Sequence, residues 1–230
     1  MRITFSILAL SAIFIILTAS CSDHKSTKRE APAITDITAT FLAIFQDIDP
    51  EGLHVYSPCD TTDGHKFTGR VIAQRFHHYF SFDKAFTETI QSFSKDTLSH
   101  IYSCFKFPLS DSRTGLLVRW PSQYDESAIY LFTWDNKLKK MIAGENIADT
   151  FGDEGWYFIQ DAWLTDINKD KKLDIVIHRM DHDQDIEDST KAPAIKDSLA
   201  VLLADGKAGF IPARVNLDSS RFRILNWDGK

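Results

Sequence analysis

The chain has none of the short signatures that mark common enzyme classes. It contains no G-x-S-x-G, no H-E-x-x-H, no P-loop and no G-x-G-x-x-G. The serine-hydrolase elbow, the zincin helix and the usual phosphate cradles are therefore excluded. Carboxylate pairs are no guide in so acidic a chain, because a pair suited to glycoside hydrolysis can be nominated almost anywhere. No cluster of Lys and Arg stands out, and the formal charge is −6. That balance argues against a nucleic-acid partner. No multi-copy repeat is visible. The longest apolar run, residues 3–17, is about fifteen residues, short of the roughly twenty a membrane-spanning helix needs.

What is present begins at the N-terminus. Arg2, the apolar run, the small residues Thr18, Ala19 and Ser20, and then Cys21 follow in the order of a secretory signal. The stretch resembles a bacterial lipobox, although Thr18 stands where that pattern usually has Leu. The resemblance implies cleavage after residue 20, a lipid on Cys21 and anchorage in the bacterial envelope, with the outer membrane as the expected site. An uncleaved N-terminal anchor is the alternative. Cleavage removes Arg2 and no acid, so the mature chain is one unit more negative than the −6 of the whole. Residues 21–33 are polar and charged, with too little apolar surface to offset their ordering entropy, and read as a tether. Pro32 disfavours a helix running on into the next segment.

Two cysteines remain, Cys59 and Cys104. An oxidising compartment would let them pair, and closing so long a loop would stabilise by roughly 4 kcal/mol in the chain-entropy model. Two buried thiols are the alternative.

The rest, 34–230, suits one compact domain, and its seventeen Phe and five Trp supply a large core. Its expected class is α+β, with helices over 34–99 and an antiparallel β meander over 100–230. Asp36 caps a helix carrying Ile37, Phe41, Ile44, Phe45 and Ile48 at helical spacing, ended by Pro50 and Gly52. A second helix is predicted over 66–80 from Phe67, Val71, Phe76, Tyr79 and Phe80, continuing over 83–95. Strand-like runs then follow at 101–107, 115–120, 128–134, 138–142, 156–164, 173–178, 199–204 and 222–227. Asp135-Asn136 suits a hairpin turn.

One stretch carries chemistry: 163–177, WLTDINKDKKLDIVI. Asp166, Asn168, Asp170 and Asp174 occupy places 1, 3, 5 and 9 of a loop. Alternating oxygen-bearing side chains suit Ca²⁺, a hard cation taking six to eight oxygens. The backbone carbonyl of Lys172 at place 7 would add another. Place 6 is normally Gly but here is Lys171, strained by roughly 1 kcal/mol if it takes positive φ. Place 12, Glu in an EF-hand, is Ile177, so a remote acid or water must complete the shell. Asp161, Asp181 and Asp183 are the candidates by proximity. Strand-like flanks separate the loop from an EF-hand. Residues 161–213, with the strand, Asp205-Gly206 turn and Gly209-Phe210 that follow, resemble a single FG-GAP or VCBS-type repeat. That resemblance implies a structural calcium site and recognition or scaffolding; one copy is too little for a propeller. An acidic turn that binds nothing is the alternative reading.

The remaining clusters are weaker. The acidic stretch 181–188 reads as a solvated loop inserted over about 179–197. His77 and His78 point in different directions on a helix and do not chelate; one half-buried and one exposed ring is expected. His178 and His182 flank the acidic stretch without a third soft ligand. Most of Trp120, Trp134, Trp156, Trp163 and Trp227 are expected in the core. The expectation is a non-catalytic envelope module that binds a protein or glycan partner. An inhibitor or immunity lipoprotein acting on a cell-wall hydrolase is the first alternative, and a divergent calcium-dependent hydrolase the second.

Overall fold

A computed structural model describes residues 36–57, 67, 69–93, 100–121, 128–153, 155–184, 191–206 and 209–224. In chain order these form α1 (Ile37–Leu42), β1 (Gln46–Asp47), β2 (Leu53–Tyr56), β3 (Arg70–Val71), a 3-10 helix (Gln74–Phe80) and α2 (Lys84–Phe93). Then come β4 (Tyr102–Ser110), β5 (Arg113–Trp120), β6 (Ala128–Asp135), β7 (Lys140–Asp153), β8 (Trp156–Thr165), β9 (Asp174–Asp183), β10 (Ala194–Ala204) and β11 (Phe210–Ala213), with a last 3-10 turn at Ser219–Arg221. Strands β4 to β11 run as one antiparallel meander in an open sheet. The fold is β-rich and is not a propeller.

The long strand β7 divides this sheet. Its residues 140–148 pair with β6 and residues 149–153 with β8. The first half, β4 to β7, is covered on both faces. Leu116, Val118, Trp120, Phe132 and Trp134 join Phe41, Phe45, Phe76 and Phe80 in one core. Leu117, Ile129, Leu131 and Phe107 point the other way and meet Leu53, Val55, Ala162, Leu164 and Ile175 in a second. Burial on two faces explains why β5 reads as a continuous apolar run instead of an alternating one. Phe41 sits at the centre of the first core, tilted 4.7 Å from Tyr79 and 5.6 Å from Trp134, centroid to centroid.

The N-terminal part is less helical than its spacing suggests. Asp36 does cap α1, accepting from the amide of Thr38 at 2.9 Å. The helix stops at Leu42, however, and β1 follows, parallel to β4. Side chains of β4 take the carbonyls where the helix would continue: Lys106 Nζ donates to Leu42 at 3.1 Å and Ser103 Oγ to Ile44 at 3.1 Å. The predicted helix over 66–80 is broken by Gly69. Its φ is +47°, and a Cβ there would lie 1.5 Å from the Ser103 carbonyl oxygen. Gly69 thus lets β3 approach β4, and only the 3-10 helix remains of the expected segment.

The hairpin turn expected at Asp135-Asn136 is present between β6 and β7, and two further expectations are corrected. The loop joining β6 to β7 is four residues, 136–139, with Asp135 Oδ1 accepting from both Lys137 and Leu138 amides at 2.9 Å. The predicted 179–197 insertion is largely sheet: Asp183 pairs with Ala194 and Met180 with Asp197. Residues 185–190 lie outside the described set. The predicted strand at 222–227 is absent over its described part, Phe222 to Ile224.

Candidate functional site: the Asp166 loop

The loop spans the turn between β8 and β9, whose last register pair is Thr165 with Asp174. Its curl is built from its own side chains. Asp166 accepts from the amides of Asp170, at 3.1 Å on Oδ1, and Lys171, at 2.8 Å on Oδ2. Asn168 Oδ1 accepts from the Asp170 amide at 2.9 Å, and Asp170 Oδ1 from the Lys172 amide at 2.9 Å. Each acceptor closes a short turn on the residues that follow it, the behaviour that makes Asp and Asn turn formers. Lys171 does take positive φ, +67°, and Lys169 joins it at +62°. The second left-handed residue was not foreseen.

The half-buried Asp166 and the exposed Asn168 and Asp170 therefore share one tightly turned strip of chain. Every side-chain oxygen that accepts one amide proton keeps a lone pair for a cation. In residue type and curvature these three fit Ca²⁺. Lys172 Nζ stands 3.2 Å from Asp170 Oδ2 and is the cation a metal would displace. The Lys172 amide and then its ammonium hold the Asp170 carboxyl below the usual carboxylate range.

Asp174 plays another part. It is fully buried, with Oδ2 accepting from the Ile167 amide at 3.1 Å and Oδ1 from the Ala204 amide at 3.0 Å. It thus ties the start of the loop to the end of β10, each oxygen accepting one backbone amide. Among the described residues, no three His, Cys, Asp or Glu side chains converge into a ready cage.

The remote acids expected from proximity do not reach the loop. Asp161 is buried on β8 with His54 Nε2 2.9 Å from its Oδ2. Asp181 is held by Arg179, Nη2 to Oδ1 2.7 Å, and Asp183 sits at the opposite end of β9. The acid that does arrive is Glu51. The Gly52 amide donates to the Leu164 carbonyl at 2.8 Å, docking β2 beside β8. Glu51 then accepts from Thr165 Oγ1 at 2.7 Å and from the Asp166 amide at 3.3 Å. Nothing in local spacing links Glu51 to the loop, because the contact depends on strand pairing across more than a hundred residues.

The other candidates separate. Cys21 and Cys59 lie outside the described residues. Cys104 is buried on β4, its thiol donating to the Phe67 carbonyl at 2.7 Å; burial pushes its pKa up to about 12. His77 is half-buried against the Ile72 carbonyl and His78 exposed, as expected; desolvation lowers the His77 pKa. His178 bridges the Phe222 carbonyl and Asp197, whereas His182 stacks on Tyr157 at 4.5 Å, so they share no ligand position. Trp120 and Trp134 are core, Trp156 and Trp163 are partly exposed, and Trp227 lies outside the described residues. No family model matches the chain, and neither the curated proteins nor the solved structures contain a match to it.

Proposed function

We propose that the chain is a non-catalytic, lipid-anchored envelope module whose Asp166 loop binds calcium as a structural ion. The observation carrying the calcium reading is the curl of the loop. Asp166 already gathers the Asp170 and Lys171 amides, and Lys171 takes positive φ although it is not glycine. Asp166, Asn168 and Asp170 would offer side-chain oxygens, Lys172 its carbonyl, and Glu51 replaces the distant acids as the nearest extra carboxylate. Asp174 would hold the frame. An incomplete ligand set and a competing ammonium put the affinity in the weak, extracellular range, Kd ~10⁻⁴–10⁻³ M. An ion that binds only the folded state raises stability by mass action.

Calorimetric titration of the full-length chain with CaCl₂, together with melting at millimolar calcium, tests this. Heat of binding and a raised melting temperature are expected, both abolished in Asp166→Ala. In the absence of calcium that substitution should cost little, because water can replace the acceptor for exposed amides. No heat and an unmoved melting temperature would end the calcium reading. The anchor rests on the order of residues 2–21 and is tested separately: a bacterial host fed an alkyne-labelled fatty acid should label the chain, and Cys21→Ser should not be labelled. Recognition of a protein or glycan in the envelope follows from placement and from the lack of catalytic signatures.

A further inference from the structure

We infer that His178 is a pH-operated latch: as an imidazolium it pins the C-terminal segment 218–224 to the sheet, and as a neutral ring it lets that segment loosen. The inference is independent of the calcium reading. His178 lies on β9 and is buried. Its Nδ1 stands 2.5 Å from the Phe222 carbonyl oxygen, and its Nε2 2.6 Å from Asp197 Oδ1 on β10. A backbone carbonyl has no proton to give, and a carboxylate offers only lone pairs. Both ring nitrogens therefore donate, and only the imidazolium carries two N–H groups.

The segment held in this way consists of a short 3-10 turn, Ser219–Arg221, capped by Asp218, followed by the buried Phe222 and Ile224. Phe222 meets Trp163 edge to face at 5.4 Å. A neutral ring has one proton for two acceptors. The carboxylate is the stronger acceptor, so the proton stays on Nε2 and Nδ1 turns a lone pair toward the Phe222 carbonyl. That buried carbonyl then loses its hydrogen bond without gaining water, which is costly. Other titratable groups face His178 from its neighbours. Its register partner on β8 is Asp161, whose Oδ2 lies 2.9 Å from His54 Nε2 on β2, with Tyr56 beside it. Its register partner on β10 is the apolar Leu199, so Asp197 supplies the charge from that strand. Asp218, Arg221 and Arg223 of the segment itself are exposed. The His54–Asp161 pair is a second titratable unit near His178, so the test acts on His178 and Asp197 directly.

The test follows the full-length chain by NMR between about pH 5 and about pH 9, an interval that spans ordinary histidine titration. With isotope-labelled histidine, the His178 ring should carry protons on both nitrogens at the acid end and on Nε2 alone at the alkaline end. Amide exchange over 222–224, corrected for the intrinsic effect of pH, should be at least tenfold faster at the alkaline end, while the β9 amides keep their protection. His178→Gln should abolish this step. Asp197→Asn removes the carboxylate that holds the last proton on Nε2 and should shrink it; because Asp197 is exposed, this variant also serves if His178→Gln does not fold. A ring with one proton at both ends, equal corrected exchange at both ends, or an undiminished step in either variant would overturn the latch.

Discussion

Lys171 shows how a single residue can state a motif and depart from it at once. Places 1, 3, 5 and 9 were legible because side-chain chemistry alone marks them. The curl they imply was legible too, and Lys171 pays for it with a φ of +67°. Lys171→Gly should therefore raise stability by up to about 1 kcal/mol and tighten calcium; a lower urea midpoint would contradict this. Glu51 was not legible, since its place beside Asp166 is made by β2 docking on β8. Asp181 illustrates a different use of charge. Its hydrogen bond to Arg179, helped by the Arg179 and Lys196 charges, lowers its pKa against the opposing effect of burial. A carboxylate depressed in the folded state stabilises above its unfolded pKa, about 3.9, and loses that contribution as pH falls through the folded value. The stability gap between the parent and Asp181→Asn should thus be full at neutral pH and shrink steadily below about pH 4. A gap that is flat with pH would show that the Arg179 contact does not act through charge.

At the scale of elements, strands were easier to read than helices. Runs such as 115–120 and 128–134 are rich in β-branched and aromatic residues because both faces of β5 and β6 are covered. No local rival competes with that pattern. The N-terminal apolar spacing was equally regular, yet tertiary contacts overrode it: Lys106 and Ser103 capture the carbonyls beyond α1, and Gly69 admits β3 to the edge of β4. Gly69 was visible inside the predicted helix and was the signal that it should end. Gly69→Ala must relieve both a left-handed backbone and a Cβ placed 1.5 Å from a carbonyl oxygen. A loss of at least about 2 kcal/mol is expected by denaturant unfolding. A stability equal to the parent would mean that β3 does not need this close approach.

For the molecule as a whole, the two halves of the sheet meet at one end around a single side chain. Lys172 belongs to the Asp166 loop, pairs with Asp170 at 3.2 Å and also lines, with Arg113, a cavity beside the β4–β5 turn. Its ammonium sits above the Asp205-Gly206 turn, 3.8 Å from where a Gly206 Cβ would lie. Calcium on Asp170 would have to displace this ammonium from its carboxylate, so the ion pair and the metal compete for the same oxygen. Lys172→Gln should therefore tighten calcium about threefold or more in calorimetric titration, because no ammonium then competes for Asp170. An unchanged calcium affinity in Lys172→Gln would rule out Lys172 as the competitor and place the weakness of the site in its sparse ligand set.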